Sequence, residues 1–103
     1  MYIKYNQAKI DFKHLNRQLT PYALQVLRQL LPEGTLENHE YVSLNPTRPD
    51  KNPGSFRINI FTGKWADFAT GDKGGDFISF FAYVKGVSQT EAALAIQAMV
   101  RGA

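Results

Sequence analysis

Three aspartates stand close together around a run of glycines: Asp67, then Gly71-Asp72-Lys73-Gly74-Gly75-Asp76. Carboxylates at this spacing are the raw material of a Mg²⁺ site, because hard cations take oxygen ligands. A glycine loop that opens a helix also offers free N–H groups to an anion, and Lys73 would add a cation for phosphate contact. Neither chemistry is specified by a motif, since the loop has neither the GxxxxGK[ST] spacing nor the GxGxxG fingerprint. The simpler expectation is a tight turn, with Asp76 as a helix cap and Asp67 on the apolar side of its strand. His14 and His39 lie in unrelated segments, which predicts exposed, unligated imidazoles. No nucleophile–base constellation emerges. The sequence therefore predicts a binding module with no catalytic residue, no metal and no cofactor.

The other chemistry on offer is cationic and aromatic. From Arg48 to Lys64 the chain carries Arg48, Lys51, Arg57 and Lys64 against the single acid Asp50, whereas Glu33, Glu37 and Glu40 make the preceding segment acidic. The runs Ser55–Phe61 and Lys64–Thr70 alternate as strands do, and Thr62-Gly63 between them reads as a two-residue hairpin turn. In that register Phe61 faces Lys64, and the faces separate. One carries Phe56, Ile58, Ile60, Trp65, Asp67 and Ala69, and should rest on helices. The other carries Arg57, Asn59, Phe61, Lys64, Ala66 and Phe68, a surface suited to tracking a phosphate backbone and stacking bases. The competing reading has Phe61 and Phe68 covered by the N-terminal helix and Arg57 paired across the strands with Phe68 as a cation–π contact.

The elements that must position these residues follow from periodicity. Thr20 and Pro21 suit a helix start, with Leu24, Leu27 and Leu31 on one stripe, Val26 and Leu30 beside it, and Pro32 and Gly34 ending it. Ile10, Phe12, Leu15 and Leu19 are compatible with either a short helix or an extended lead-in. After a polar stretch from Glu33 to Glu40, Tyr41–Asn45 alternates as a half-buried strand, and the three prolines of Asn45–Gly54 exclude helix and central strand there. Asp76 caps a helix carrying Phe77, Phe80, Phe81 and Val84, and Gly86 stops it. Ser88 and Glu91 form the capping-box pattern of a second helix with Ala92, Ala93, Ile96, Met99 and Val100 behind it.

The chain has 103 residues, 44% hydrophobic and 13% aromatic, enough for one modest core and no second. The expected fold is α+β: a small antiparallel sheet, made of the hairpin plus an additional strand, packed against N-terminal and two C-terminal helices. One domain, 1–103, is expected, with 1–35 as a helical arm and 40–103 as the sheet and C-terminal helices. There is no cysteine, so apolar burial must stabilise the fold without disulfide or thiolate cage. No apolar run approaches the roughly 20 residues of a membrane span, and Met1-Tyr2-Ile3-Lys4 lacks the apolar core of a secretory signal. The expectation is a cytoplasmic protein with no membrane partner. A formal charge of +3 leans weakly toward an anionic one.

The run from Asn45 to Met99 resembles the zinc-ribbon module at the N-terminus of bacterial DNA primases, and is closer to the degenerate copies in plasmid and phage primase-like proteins. That family has a Cys-Pro-x-His knuckle, a Pro-Ser-Phe strand, a hairpin ending in a Cys-x-x-Cys knuckle, then a Gly-Gly-Asp loop and a helix reading Ile-x-Phe. The corresponding residues here are Asn45-Pro46-Thr47-Arg48, Pro53-Gly54-Ser55-Phe56, Trp65 to Gly71, and Gly74-Gly75-Asp76-Phe77-Ile78-Ser79-Phe80. All four ligand positions have changed, to Asn45, Arg48, Asp67 and Thr70, and a structural zinc site needs Cys or His donors.

The resemblance implies a ribbon without its metal, held by apolar packing of Trp65 and Phe68 on Phe77, Phe80 and Phe81, with an Arg48–Asp67 bridge across the former site. It further implies a role in engaging single-stranded template DNA during replication of a plasmid, phage or other mobile element, with primer synthesis left to a separate catalytic domain. Arg48, Lys51, Arg57, Lys64, Trp65 and Lys73 lie in the matching region and are the residues expected to contact DNA. The rival expectation keeps the fold as a protein-interaction module that docks on a helicase, a polymerase or a primase catalytic subunit.

Overall fold

The structure, a computed structural model, describes residues 9–102. The segment Met1–Lys4, read above for a signal, lies outside them. In chain order the elements are α1 (Phe12–Leu19), a 3₁₀ turn (Thr20–Tyr22), α2 (Ala23–Leu30), β1 (Thr35–Glu37), β2 (Glu40–Ser43), β3 (Phe56–Asn59), β4 (Trp65–Asp67), β5 (Lys73–Gly74), α3 (Phe77–Lys85) and α4 (Gln89–Gly102). The strands form one antiparallel meander in the order β1-β2-β3-β4-β5. The class is α+β, as expected, with a sheet of five strands where a hairpin and one further strand were anticipated.

The apolar lead-in is a helix, not an extended segment. Asp11 caps α1 by accepting from the His14 N–H at 3.0 Å. Thr20 closes α1 instead of opening α2: its hydroxyl donates to the Asn16 carbonyl, and Pro21 sits in the 3₁₀ turn that bends one helix into the next. Leu15 and Leu19 from α1, Ala23 and Leu27 from α2, and Leu31 beyond it turn inward, with Leu24 and Leu30 half-buried beside them.

The C-terminal helices begin where the caps predict. The Asp76 carboxylate accepts from the Ser79 N–H at 2.8 Å, and Gly86, at φ +67°, terminates α3 in the left-handed region. Ser88 and Glu91 exchange hydrogen bonds of 3.0 and 3.1 Å, the reciprocal pattern of a capping box. These bonds hold the Glu91 carboxyl below the usual range.

One core joins all layers. Tyr41, Phe56, Ile58 and Trp65 from the sheet meet Phe77, Ile78, Phe80 and Phe81 from α3 and Ala92, Ala93 and Ile96 from α4, with the leucines of α1 and α2 closing it. Its aromatic centre is specific: Phe56 stacks on Phe80 at 5.3 Å between ring centroids, and Trp65 lies against Tyr83 at 4.6 Å. The Trp65 indole donates to the Ser79 hydroxyl at 2.8 Å, so its polar edge is satisfied inside. Asn16 then ties three elements together. Its amide donates to the Thr62 carbonyl in the β3–β4 loop and its oxygen accepts the Phe77 N–H that opens α3. That loop packs so closely that a Cβ on Gly63, at φ +83°, would lie 2.5 Å from the Phe77 nitrogen.

The hairpin register differs from the two-residue turn. Phe56 faces Asp67, Arg57 faces Ala66 and Ile58 faces Trp65, which leaves residues 60–63 as the connecting loop. The Asn59 side chain accepts the N–H groups of Phe61 and Thr62, folding the loop back on itself. Arg57 therefore does not stand opposite Phe68. The shift is two residues, so within the strands the assignment of faces survives, because side chains alternate with period two; Ala69, expected on the inner face, lies beyond β4 and is exposed.

Candidate nucleic-acid interface

The Pro-rich loop and the turn after β4 converge on Asp67. This carboxylate ends β4 on the inner face and is 0% exposed. Its Oδ2 accepts from Asn45 Nδ2 and Arg48 Nε, both at 2.8 Å. Its Oδ1 accepts from the Ala69 N–H at 2.9 Å and from the second arm of the Arg48 guanidinium at 3.3 Å. The Arg48 guanidinium, then Asn45, the Ala69 amide and Ser55, hold the Asp67 carboxyl far below the usual carboxylate range, against the opposing pull of burial.

Asn45 is equally complete. Its Nδ2 reaches both Asp67 and the Tyr83 hydroxyl, while its Oδ1 accepts from the Thr47 backbone and hydroxyl. Asp50 closes the circuit by accepting the Asn45 N–H at 2.8 Å and pairing with Arg48 at 3.4 Å. Asn45, Arg48 and Asp67 are thus joined by direct side-chain bonds. Thr70 takes part through its backbone, donating to the Asp67 carbonyl at 3.2 Å, while its side chain stays exposed. Trp65 does fill the interior as expected, but Phe68 does not: it is 75% exposed and packs on none of the α3 aromatics.

The three aspartates around the glycine loop do not meet. Asp67 is enclosed by Arg48, Asp72 accepts from the Tyr83 hydroxyl at 2.7 Å, and Asp76 caps α3. Among the described residues, no group of three or more His, Cys, Asp or Glu side chains is placed to hold a metal. The glycine loop contains β5 and is less open to an anion than its composition suggests. The first N–H of α3, on Phe77, is already taken by Asn16, and that of Ser79 by Asp76.

The six residues expected to contact DNA separate into two groups. Trp65 is 6% exposed with its N–H committed, so it offers no face for stacking. Arg48 is spent on Asp67 and Asp50. Arg57 lies on the outer face but is held by Glu40 at 3.2 Å, by Glu37 at 3.6 Å and by the Gly54 carbonyl at 2.7 Å. Lys51, Lys64 and Lys73 are exposed and pair with no described carboxylate.

The two most exposed large apolar residues among those described are Phe61 at 65% and Phe68 at 75%. Neither is covered by the N-terminal helices. Phe61, in the β3–β4 loop, stacks on His39 from the β1–β2 turn with centroids 5.8 Å apart and planes 23° from parallel. Phe68 opens the turn at the other end of β4, its N–H bonded to the Ser55 carbonyl. The His39 contribution was not legible from spacing. Its signal is Asn38, whose φ of +59° makes the tight turn that brings His39 to the hairpin loop.

No family model, no curated protein and no solved structure matches this chain.

Proposed function

We propose that this protein is a primase-type accessory module that binds single-stranded DNA in the cytoplasm, during replication of a plasmid, phage or other mobile element. The contact is made by the outer side of the β3–β4 hairpin and its flanking turns. Phe61 and Phe68 serve as stacking platforms, and Lys64, Lys73 and Lys51 neutralise the backbone.

The observation that carries the reading is the pair of exposed phenylalanines. A chain that buries Phe56, Phe77, Phe80 and Phe81 at 9% exposure or less leaves Phe61 and Phe68 in water at the two ends of one short strand. From Lys64 to Phe68 the chain rises roughly 13 Å, so the strand that separates the two turns is long enough to underlie more than one extended nucleotide. Unpaired bases have apolar faces to offer such rings, whereas a duplex hides them. The primase resemblance is supported by the bonded knot of Asn45, Arg48 and Asp67, which joins the Pro-rich loop to the end of β4 by side chains alone. Among the described residues no helix is long and apolar enough to cross a membrane.

The test is anisotropy of a fluorescein-labelled oligo(dT) titrated with protein at several salt concentrations. Affinity should fall as salt rises, with a log–log slope of roughly −2, about −0.7 for each of three lysines. Phe61→Ala combined with Phe68→Ala should weaken binding at least tenfold, each stacked base being worth roughly 1–3 kcal/mol. A double variant that binds like the wild type rules out this surface. Binding that is insensitive to salt rules out the lysines.

A further inference from the structure

We infer that α1 is a second basic platform for the same strand, so that single-stranded DNA leaving the Phe61 end of the hairpin continues across Lys13 and Arg17. The inference rests on the single-strand reading of the hairpin and lengthens its footprint. With 3.6 residues per turn, α1 divides into rows of residues related as i and i+4. Leu15 and Leu19 form the buried row, and the half-buried Phe12, Asn16 and Thr20 lie next to it. Lys13 and Arg17 come after these, both exposed, and His14 and Gln18 complete the circuit on the far side. Asn16 fixes what that flank touches. Its amide donates to the Thr62 carbonyl at 2.9 Å and its oxygen accepts the Phe77 N–H at 2.8 Å, so this flank of α1 abuts the β3–β4 loop. Lys13 stands one helical turn from Asn16 and Arg17 is the next residue, so both cations border the loop that carries Phe61 and leads into Lys64.

The two cations are uncommitted. α1 contains no acid, and Asp11 before it is taken by the His14 N–H. Asp76, brought close by the bond between Asn16 and Phe77, caps α3 through the Ser79 N–H. Neither Lys13 nor Arg17 pairs with a described carboxylate. What the face lacks selects its occupant. The exposed side chains of the helix, Lys13, His14, Arg17 and Gln18, are all polar, so a protein would find no apolar anchor of the kind that dominates binding energy. A phosphate backbone needs only cations at intervals, and such contacts hold a strand without reading its sequence. The adjoining Phe61 supplies the stacking ring that α1 does not have.

The experiment compares labelled oligo(dT) of about 6 and about 15 nucleotides on the whole chain, a footprint limited to the hairpin against one that also crosses α1. For the short strand the log–log salt slope should stay at roughly −2, and for the long one it should steepen to roughly −3.5, two further contacts adding about −0.7 each. Lys13→Ala combined with Arg17→Ala should return the long-strand slope to roughly −2 and weaken that complex about tenfold near 0.1 M salt. Should circular dichroism show that this variant has lost helix, Lys13→Gln with Arg17→Gln carries the same expectations. Arg28→Ala combined with Arg101→Ala removes the same charge from exposed positions on α2 and α4, and should leave the long-strand slope at roughly −3.5. An equal loss from both pairs would mean that the strand responds to net charge alone, and overturns the inference. Equal wild-type slopes for the two strands, or a long-strand slope indifferent to Lys13 and Arg17, overturns it while the hairpin reading stands. A wild type that binds neither strand overturns both.

Discussion

Arg48 and Arg57 are each held by two carboxylates, yet they stand in opposite environments. The partners of Arg48 are Asp67 and Asp50, whose side chains are 0% and 7% exposed, whereas those of Arg57 are Glu40 and Glu37, at 40% and 52%. Around Arg48, removing one group strands another away from water, so each bond depends on the rest. Around Arg57, water replaces whatever is lost, and the pair adds little to stability. A basic stretch counted along the sequence treats the two as equal. Only burial separates the arginine that organises the fold from the one that decorates it.

The sharpest way to break this contrast is at Asp67. Asp67→Ala removes the acceptor of Asn45, Arg48 and the Ala69 N–H together, and should cost roughly 2–3 kcal/mol in urea unfolding. Equal stability of this variant and the wild type would mean that the knot is ornamental. Acid should expose the same dependence. The folded-state pKa of Asp67 is depressed by Arg48, so its stabilisation is complete above the unfolded-state value near pH 4 and is lost as pH falls from there. The urea midpoint of the wild type should therefore drop steeply below about pH 4, while Asp67→Asn, already weaker at neutral pH, should show a flatter acid limb.

A smaller effect belongs to the exposed start of α4. Ser88→Ala deletes the acceptor of the Glu91 N–H and should cost about 1 kcal/mol by thermal or urea unfolding. Arg57→Ala completes the comparison from the other side. With its partners in water it should change stability by no more than about 0.5 kcal/mol. A loss as large as that of Asp67→Ala would dissolve the distinction between the two arginines. Smallest of all in stability are Phe61→Ala and Phe68→Ala, expected to leave the unfolding midpoint unchanged within error while weakening oligo(dT) binding.

The parts of this fold that could be read in the sequence are those fixed by local chemistry. Asp76 and the Ser88–Glu91 pair mark helix starts with side chains that bond nearby backbone N–H groups, Gly86 marks a helix end by its left-handed φ, and the structure has them doing so. The Arg48–Asp67 bridge, expected from the resemblance, is present. What escaped had little local signal. β1 has all three residues exposed and follows no alternation; it exists because β2 offers it an edge. β5 is two residues in a glycine loop. Thr62-Gly63 looked like a two-residue turn, but the Asn59 carboxamide captured two N–H groups and Gly63 was needed against Phe77, so four residues form the loop. The candidate surface was legible in Phe61 and Phe68 and misleading in Trp65, which the core takes, and in its two arginines, since charge in a list carries no record of which acid lies across the sheet.

The contact between α1 and α4 has a consequence for biosynthesis. Leu15 and Leu19, in the first helix of the described chain, share one interior with Ala92, Ala93 and Ile96 of the last. During translation the early leucines have no finished site to enter until α4 has left the ribosome, and closing so long a loop is slow relative to forming a hairpin. Truncations that stop before Gln89 should consequently yield nascent chains with sticky, uncovered leucines, the species on which chaperones act.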